Sequence, residues 1–571
     1  MTEMIKEVLK NLISETLEAL SVSNPKVFLE HPADIGHGDF STNVALVFAK
    51  ELGMKPRELA ERIKERLNLS AAERLSLERV EIAGAGFINF YLSKNYFANE
   101  VSEIIKVGDG FGKNKKRAGQ KVMVEFTDPN PFKEFHIGHL MSNTIGESLC
   151  RLIAFEGAEV KRATWQGDVG LHVAKAIWGA LKNGEPKNPA KWGKAYATGS
   201  TAYEDDVLAK KEIEELNKKV YERSDEKINA LYDSGRKISL EAFEEIYKRL
   251  DTHFDYNFFE SKEGRDGEAV ILEFLKKAVF EESEGAIVFR GEKYGLHTRV
   301  FINSKGLPTY EAKELGLNRK KFEVEPDLSE SIIITANEQS GYFSVLLKVL
   351  SLIYPAIGKK TKHLAHGLLK LPSGKMSSRK GDVITAESLI NDIKKLVAEK
   401  IKDRGYDAAL AEEIKEKVAI GAIKYSILRQ AVGGDIIFDF EKSISFEGDS
   451  GPYLQYGLAR AKSLLEKGKE AGIFGEGAEP KMPADWTTTP LEKLLTRFPE
   501  IVSRSAEEFS PHHLVTYLTE LVATFNAFYA EGKIVDTANE SASYKLTLVS
   551  AFAIVLKNGL ALLGIPTPEK M

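Results

Sequence analysis

The first twenty residues place apolar side chains at the spacing of an amphipathic helix. These side chains are Met4, Ile5, Val8, Leu9, Leu12, Ile13 and Leu17. Further along, a helix is predicted from about Val44, and the alternating segment AGFINFYL predicts a strand. We therefore predict a small α+β domain over residues 1–110, with a linker rich in Gly and Lys at 106–121.

Apolar strands alternate with helices from residue 121 onwards. KVMVEF predicts a buried strand, 127–138 a loop and 138–156 a helix, and further strands are predicted at GAIVF, TRVFIN and SIIITAN. Between them, Lys and Glu residues four apart predict solvent-facing helices. This pattern predicts an α/β domain with a Rossmann-like, doubly wound parallel sheet over 121–385, interrupted by a helical insertion at about 174–290. Residues 386–571 are predicted to form an all-α domain.

Composition limits the classes of protein to which this chain can belong. With 43% hydrophobic and 29% charged residues over 571 positions, it has the composition of a soluble protein of several domains. A net charge of −5 argues against indiscriminate nucleic-acid binding, although local basic patches still allow RNA recognition. Cys150 is the single cysteine, which excludes a disulfide framework. Because no signal peptide or long apolar run is found, we expect a cytoplasmic protein without membrane association.

Two histidines stand where the first predicted strand of the α/β domain gives way to a helix. His136 and His139 lie three residues apart, with Gly138 between them, in TDPNPFKEFHIGHL. The N-terminus of a helix at the carboxyl edge of a parallel sheet is a phosphate-binding position, where imidazoles can donate hydrogen bonds to charged oxygens. The alternative is structural: one histidine caps the helix and the other packs on the sheet.

A second motif lies at the far end of the same predicted domain. The stretch LLKLPSGKMSSRKGDVIT contains a glycine-flanked group of hydrogen-bond donors. It comprises Lys375, Met376, Ser377, Ser378, Arg379 and Lys380. Such a loop is suited to closing over a polyphosphate, while the alternative is a solvated basic turn. The two motifs together, on either side of an interrupted α/β domain, predict an enzyme that uses a nucleotide.

The sequence around these motifs resembles the class I aminoacyl-tRNA synthetases and, among them, the arginyl-tRNA synthetase family. His136–His139 spell the HIGH signature, and KMSSR is a variant of the lysine loop that completes the ATP site. Other matching segments are GHGDFSTNVAL, WQGDVGLHV, NEQSGYF and ISFEGDSGPYLQYGLARA. The resemblance covers almost the whole chain. It implies an N-terminal domain that reads the outer corner of tRNA, a catalytic domain and a helical anticodon-binding domain.

The resemblance implies a ligase that activates L-arginine with ATP and then transfers it to the 2′-hydroxyl of the terminal adenosine of tRNA(Arg). ATP would bring Mg²⁺ with it, and no prosthetic group, resident metal site or oligomeric partner is expected. The catalytic residues would be His136, His139, Lys133 and Lys375. ATP would be bound by His136, Gly138, Lys375, Met376, Ser377 and Ser378. The rival hypotheses are a related tRNA-binding protein without catalysis and a class I synthetase for another amino acid.

A site for arginine must surround a planar, permanently charged guanidinium with carboxylate and carbonyl-type acceptors. By resemblance, the arginine-binding residues are Asp128, Asn130, His139, Tyr310, Glu314 and Gln339. Asp128 stands where relatives often carry serine, and Glu314 where they commonly carry aspartate. Glu125, at the end of the first strand, is an equal candidate for a structural ion pair and for a ligand contact.

Two sets of residues are predicted to contact tRNA by base stacking and hydrogen bonding. Phe87 and Asn89 belong to the N-terminal domain, and Phe446, Tyr453, Gln455 and Tyr456 to the helical domain. Aromatic residues at this spacing are also typical of protein cores, and we expect about half of the set to be structural. In addition, Ser378 replaces the usual second lysine of the closing loop. We predict that Lys133 supplies the missing charge, with Arg379 and Lys380 as alternatives.

Overall fold

The N-terminal part of the chain forms a three-stranded antiparallel sheet with helices packed against it. The computed structural model describes residues 2–70, 76–370, 384–475 and 482–571. In chain order the elements of this part are α1 (Thr2–Ala19), β1 (Phe40–Thr42), α2 (Val44–Phe48), α3 (Pro56–Ser70), β2 (Leu77–Ala83), β3 (Phe87–Leu92) and α4 (Lys94–Val107). The strand order is β1-β3-β2. Ile5, Leu9, Ile13 and Leu17 of α1 are buried in its core, as the helical spacing predicts.

The central part of the chain contains five parallel strands, with helices following them. Its elements are β4 (Lys121–Glu125), α5 (Ile137–Phe155), β5 (Glu159–Gln166), α6 (Leu171–Asn183), α7 (Pro189–Asp205), α8 (Val207–Glu222), α9 (Glu226–Arg249), β6 (Tyr256–Phe259), α10 (Glu260–Leu275), β7 (Glu281–Ser283), β8 (Ala286–Phe289), β9 (Arg299–Ile302), α11 (Tyr310–Val324), β10 (Glu330–Ala336), α12 (Ser340–Ile353), α13 (Pro355–Lys360), β11 (Thr361–His366) and β12 (Leu369–Lys370). The parallel sheet has the order β11-β10-β4-β5-β6. The predicted Rossmann-like fold is confirmed.

Two details of the predicted central domain are wrong. The helical insertion ends at Arg249, not near residue 290, because Tyr256–Phe259 returns to the parallel sheet beside β5. The segments GAIVF and TRVFIN form β8 and β9 of a separate antiparallel sheet, in the order β7-β8-β9. Strands this short carry too few alternating positions to reveal their sheet, and β6 lies among charged residues that mask its pattern.

The C-terminal part is nearly all helical, as predicted. Its elements are α14 (Ala386–Ile401), α15 (Ala408–Leu428), β13 (Ile436–Ile437), α16 (Phe440–Ser443), α17 (Gly451–Glu470), α18 (Pro490–Leu495), α19 (Phe498–Glu507), α20 (His512–Ala530) and α21 (Ala542–Leu562). The short β13 pairs in parallel with β12 of the central domain. Among the described helices, α21 is long and apolar enough to cross a membrane, but 67% of its apolar window is buried inside the protein, which is typical of a core helix.

The predicted linker at 106–121 is docked against the C-terminal part. Asn558 of α21 donates a hydrogen bond to the carbonyl of Gly108 over 3.1 Å, and the Lys557 ammonium lies 2.9 Å from the Asp109 carboxylate. The N-terminal part also touches α19, where His31 and Lys6 bind Glu500. Residues of the central sheet and of α15, α20 and α21 share one apolar core. The helical part is therefore joined to the parallel sheet by a packed interface.

Candidate active site

A cavity of about 340 Å³ opens at the carboxyl edge of the parallel sheet. After β4 the chain crosses to β5 and then β6, whereas β10 and β11 lie on the other side of β4. The cavity lies between the ends of β4 and β10, where the winding reverses direction, and it is bounded by the first turns of α5 and α11. In doubly wound sheets this crevice is the usual ligand position.

The two histidines of the HIGH segment stack face to face at the start of α5. Their ring centroids are 3.6 Å apart and their planes differ by 18°. His136 is the N-cap: its Nδ1 accepts hydrogen bonds from the backbone N–H groups of Gly138 (3.1 Å) and His139 (3.3 Å). The Nδ1 of His139 accepts in return from the backbone N–H of His136 at 3.3 Å. The structural alternative, a capping histidine, is thus part of the arrangement, yet both rings also line the cavity.

These contacts define the protonation state of both imidazoles. A backbone N–H can only donate, so each Nδ1 must be an unprotonated acceptor and each Nε2 must carry the proton. Burial, together with the nearby Lys133 charge, lowers the pKa of His136. Burial, followed by the charges of His136 and Lys133, lowers the pKa of His139 well below its ordinary value. At neutral pH the site therefore has two neutral imidazoles with an N–H donor each.

Gly138 is required by the histidine arrangement itself. A Cβ at this position would lie 2.9 Å from Cε1 and 3.0 Å from Nδ1 of the His136 ring. The missing side chain lets that ring fold back over the helix end. The prediction that Gly138 makes room for a nucleotide stays a prediction, and the crowding against His136 adds a second reason for glycine.

Lys133 lies in the loop between β4 and α5, close to both histidines. Its charge contributes to the lowered pKa of His136, His139 and also His172. Its ammonium lies 4.9 Å from the centroid of the Tyr196 ring on α7, in cation–π geometry. The predicted partners Lys375, Met376, Ser377 and Ser378, and the alternatives Arg379 and Lys380, lie outside the described residues.

The chain re-enters the described structure directly beside His136. The backbone N–H of Ile137 donates to the carbonyl of Ile384 over 3.1 Å, and Ala386 donates to the carbonyl of Phe135 over 2.8 Å. His136 and Thr385 also form an isolated antiparallel bridge. Residues 384–386, the first described ones after the KMSSR segment, are therefore anchored to the loop that carries the histidines.

Acidic side chains gather at the floor of the cavity around one buried lysine. Glu125 at the end of β4, Asp128 in the following loop and Glu314 on α11 all line the cavity. Lys321, fully buried two helical turns after Glu314, lies 2.5 Å from Glu125 as a close ion pair without hydrogen-bond alignment. This contact supports the ion-pair alternative for Glu125.

The three carboxyl groups at the floor of the cavity carry more negative charge, when ionised, than the one lysine beside them, Lys321, can balance. Burial, then the neighbouring Glu125, holds the pKa of both Asp128 and Glu314 well above the usual range, and Lys321 offsets this only in part. Asp128 is fixed in place by the backbone N–H of Trp165, which donates to its Oδ1 over 2.7 Å. A bound cation would restore the charge balance of this floor.

The other predicted arginine-binding residues are spread around the cavity. Tyr310 stands at its rim as the first residue of α11, and Gln339 lines it from the turn after β10. Asn130 is not among the lining residues; its Oδ1 faces Gly167, where a Cβ would approach to 2.4 Å.

Several lining residues were not predicted from the sequence. They include Trp165, Tyr342, Phe343, His366 and residues 367–369. Trp165 and His366 stand at the carboxyl ends of β5 and β11, which is a signal that strand-end positions alone could have given. Lys321 had a signal too, since it lies seven residues after Glu314 on the same helix face.

The predicted tRNA contacts divide into exposed and buried residues. Phe87 is 40% exposed at the start of β3, whereas Asn89 is buried and its Oδ1 accepts from Ser41 over 2.7 Å. Gln455 is also buried, and its amide donates to two backbone carbonyls. Phe446, Tyr453 and Tyr456 are half-buried, and Asn526 donates to the Tyr453 hydroxyl over 3.1 Å. Asn89 and Gln455 therefore have internal partners that leave them turned away from a base.

Tyr456 belongs to an aromatic and basic cavity of about 520 Å³ in the helical domain. The Arg460 guanidinium lies 4.9 Å from the ring centroid of Tyr456 and 5.1 Å from that of Tyr529. Tyr529, itself 42% exposed, was not predicted. Flat rings around a guanidinium offer the stacking surface that single-stranded bases require.

Comparison with known proteins agrees with the fold and the site. The N-terminal domain of arginyl tRNA synthetase matches residues 5–92, the catalytic domain of class I tRNA synthetases (R) matches 100–440, and the DALR anticodon binding domain matches 454–571. The arginine–tRNA ligase of Clostridium perfringens is 30% identical over 98% of this chain and 100% of its own length. That of Treponema denticola is 30% identical over the full length of both. The arginyl-tRNA synthetase structure from Thermus thermophilus superimposes with a TM-score of 0.81 at 26% identity, covering 99% of this chain and 100% of that one.

The interrupted parallel sheet, the paired histidines at its switch point and these matches define a class I aminoacyl-tRNA synthetase, an ATP-using ligase that aminoacylates tRNA. Within that class, the chain belongs to the arginyl-tRNA synthetase family. The resemblance found in the sequence motifs is confirmed.

Proposed function

We propose that this chain attaches L-arginine to tRNA(Arg) in two steps within the cavity described above. The carboxylate of arginine attacks the α-phosphorus of ATP, which releases pyrophosphate and leaves arginyl-adenylate. The 2′-hydroxyl of the terminal adenosine of tRNA then attacks the activated carbonyl and releases AMP. The observation that carries the proposal is the position of an under-compensated acidic floor directly beside two neutral imidazole donors.

Recognition of arginine rests on the acidic floor. Glu314 would face the guanidinium, and Asp128 lies close enough to share its charge. Glu125 is already paired with Lys321, so it contributes to the field without needing a ligand. Tyr310, Gln339 and the Nε2 of His139 would bind the remainder of the amino acid, while Asn130 would position the Gly167 loop beside it.

Activation of ATP rests on positioned donors near the phosphates. The Nε2–H groups of His136 and His139, together with the N-terminus of α5, would stabilise the negative charge that develops on the phosphate oxygens. Lys133 would supply a full positive charge. Mg²⁺ would enter as part of the ATP substrate and retain several waters. No side chain needs to act as a covalent nucleophile, because positioning and charge stabilisation suffice.

The tRNA would contact both ends of the molecule. Phe87 is the exposed candidate in the N-terminal domain. Tyr456, with Arg460 and Tyr529, is the candidate for the anticodon side, and Phe446 packs beside it with ring centroids 6.2 Å apart. Tyr453 would support Tyr456 from the same helix. We further propose a monomer that acts in the cytoplasm.

Exchange of labelled pyrophosphate into ATP tests the proposed function. The purified chain is assayed with tRNA(Arg) and each proteinogenic amino acid in turn, with Mg²⁺ present. Arginine should support exchange at least a hundredfold above the others, since only it matches the acidic floor. Exchange with a different amino acid, or none with arginine, would contradict the proposal.

A further inference from the structure

The loop before the HIGH segment is held by α7, a helix of the insertion that interrupts the parallel sheet. Phe132 is fully buried and packs edge-on against Trp192 of α7, with ring centroids 5.2 Å apart. The next residue of the loop, Lys133, places its ammonium 4.9 Å from the ring centroid of Tyr196, one helical turn after Trp192. Consecutive loop residues are therefore bound by consecutive turns of one helix.

Further contacts with the insertion fix the backbone on both sides of Lys133. The backbone N–H of Phe132 donates to the hydroxyl of Ser239 on α9 over 2.9 Å. The φ angle of Phe132 is +69°, which a bulky residue rarely adopts unless its surroundings hold it there. On the other side, a Cβ on Gly193 of α7 would lie only 3.0 Å from Cγ of Glu134, so helix and loop are in close contact.

The charge of Lys133 is held without being neutralised. Within the described parts of the chain Lys133 forms no ion pair, and the Tyr196 ring is its cation–π partner. An aromatic ring attracts an ammonium through its quadrupole and leaves the charge intact, whereas a carboxylate would cancel it. Burial, and after it the Lys133 charge, lowers the pKa of His136, so this charge is felt in the cavity.

We propose that Tyr196 is a positioning residue for the activation of ATP, which keeps the Lys133 ammonium oriented and fully charged beside the paired histidines. The proposal rests on the proposed function, because it requires Lys133 to serve the phosphates of ATP. Tyr196 does not line the cavity, so it acts through Lys133. A lysine side chain loses considerable rotamer freedom when it is fixed, and the ring offsets that cost before ATP arrives.

Exchange of pyrophosphate into ATP, with arginine and tRNA(Arg) present, tests the role of the ring. Tyr196→Leu should lower kcat by about fivefold or more, while the KM for arginine stays within about twofold, because the lost contact serves the transition state. Tyr196→Phe keeps the ring and should retain kcat within about twofold. Tyr196→Glu offers the ammonium a carboxylate, which cancels its charge, and kcat should fall at least as far as in Tyr196→Leu.

Tyr203→Leu is the matched control. Tyr203 stands on the same helix, and its ring also faces lysines, with Lys175 at 4.5 Å and Lys210 at 5.2 Å from its centroid. Neither lysine lines the cavity. This variant removes the same kind of contact from α7 and should keep kcat within about twofold.

A double variant shows whether Tyr196 acts through Lys133. In a Lys133→Ala background, Tyr196→Leu should change kcat by less than about twofold, because the ring then has no ammonium to hold. A residue that only supports the fold would cost the same factor in both backgrounds, and that result would overturn the proposal. If Tyr196→Leu does not fold, Tyr196→Met, which also lacks a ring, takes its place in every comparison.

Other outcomes also count against the positioning role. They are an unchanged kcat in Tyr196→Leu beside an inactive Lys133→Ala, an equal loss in Tyr196→Leu and Tyr203→Leu, and full activity in Tyr196→Glu. Failure of the proposed function looks different. The unaltered chain would then support no arginine-dependent exchange, or Lys133→Ala would exchange at the full rate.

Discussion

At the scale of single residues, the site depends on which ring nitrogen of each histidine already has a hydrogen-bond partner within the protein. His136 and His139 both use Nδ1 to accept from backbone N–H groups, and only Nε2–H remains for a substrate. Protonation would turn each Nδ1 into a donor that faces another donor. The neutral form is therefore built into the start of α5.

The first prediction concerns His136→Ala and His139→Ala. Each should slow adenylate formation tenfold or more, since losing one preorganised donor costs about 2.7–4 kcal/mol, while tRNA binding stays nearly intact. Because the pKa of both histidines is lowered, the rate of the unaltered enzyme should show no inflection near pH 6.5 and should fall only at lower pH. Pyrophosphate exchange against pH is the measurement; unchanged rates in both variants would refute the assignment.

The second prediction concerns the acidic floor. Glu314→Gln should raise the KM for arginine far more than the KM for ATP, because an amide cannot neutralise a buried guanidinium. The pKa of Glu314 is raised, so lowering the pH protonates it and should weaken arginine binding; the KM for arginine should fall as pH rises. This slope should be smaller in the variant. Equal losses for both substrates would make Glu314 a residue of the fold only.

Lys133 is the subject of the third prediction. Lys133→Ala should depress pyrophosphate exchange strongly, because the developing charge on ATP loses a nearby cation, and adding Ser378→Lys should restore part of it. Lys182→Ala is a matched control, since Lys182 lies at the same 4.9 Å from an aromatic ring, that of Trp178, on α6. If Lys133→Ala is silent while Lys380→Ala is inactive, the charge comes from the KMSSR segment instead.

At the scale of elements, the first turn of α5 combines a cap, a glycine and two functional rings. Helix propensity alone would favour alanine over glycine at position 138 by about 1 kcal/mol. The contact of a Cβ with the His136 ring at 2.9 Å explains why glycine is found there. The helix thus contains a residue of low helix propensity at position 138, which leaves room for the His136 ring.

Gly138→Ala separates these two effects. The variant should lose pyrophosphate exchange tenfold or more, because the His136 ring must move, while its melting temperature stays close to that of the unaltered protein. Gly341→Ala at the start of α12 is the control, since no atom lies within 4 Å of its added Cβ. A parallel loss of melting temperature and exchange would assign Gly138 to folding alone.

At the scale of the whole molecule, the half-buried carboxylate of Glu500 on α19 helps to join the helical domain to the N-terminal domain. Burial raises the pKa of Glu500, but the hydrogen bonds and charges of His31 and Lys6 outweigh it and hold the pKa at about 2. A depressed pKa means that this stabilisation is present above the ordinary value of about 4.5 and is lost as pH falls towards 2. Docking of the domain is therefore acid-sensitive.

Glu500→Gln should weaken this docking by about 1 kcal/mol at pH 7, the upper range for a partly exposed ion pair. Amide hydrogen exchange in α1 and β1 is the measurement, and it should be faster in the variant. The difference between the two proteins should shrink as the pH falls from 5 towards 2, because the unaltered Glu500 then becomes neutral as well. A difference that does not depend on pH would point to packing instead.

The local sequence pattern was sufficient to predict much of the fold and several residues of the site. Periodicity and motifs depend on residues within a few positions of one another. They were enough to predict the apolar face of α1, the parallel strands at KVMVEF and SIIITAN, the helical C-terminal domain, and the importance of the HIGH and KMSSR segments. Contacts between distant segments were decided only by the tertiary structure. Examples are Lys321 beside Glu125, the internal hydrogen bonds of Asn89 and Gln455, and the return of β6 to the parallel sheet, each of which joins residues far apart in the chain. Their energetics depend on burial and exact distance, and neither is a property of a short stretch of sequence.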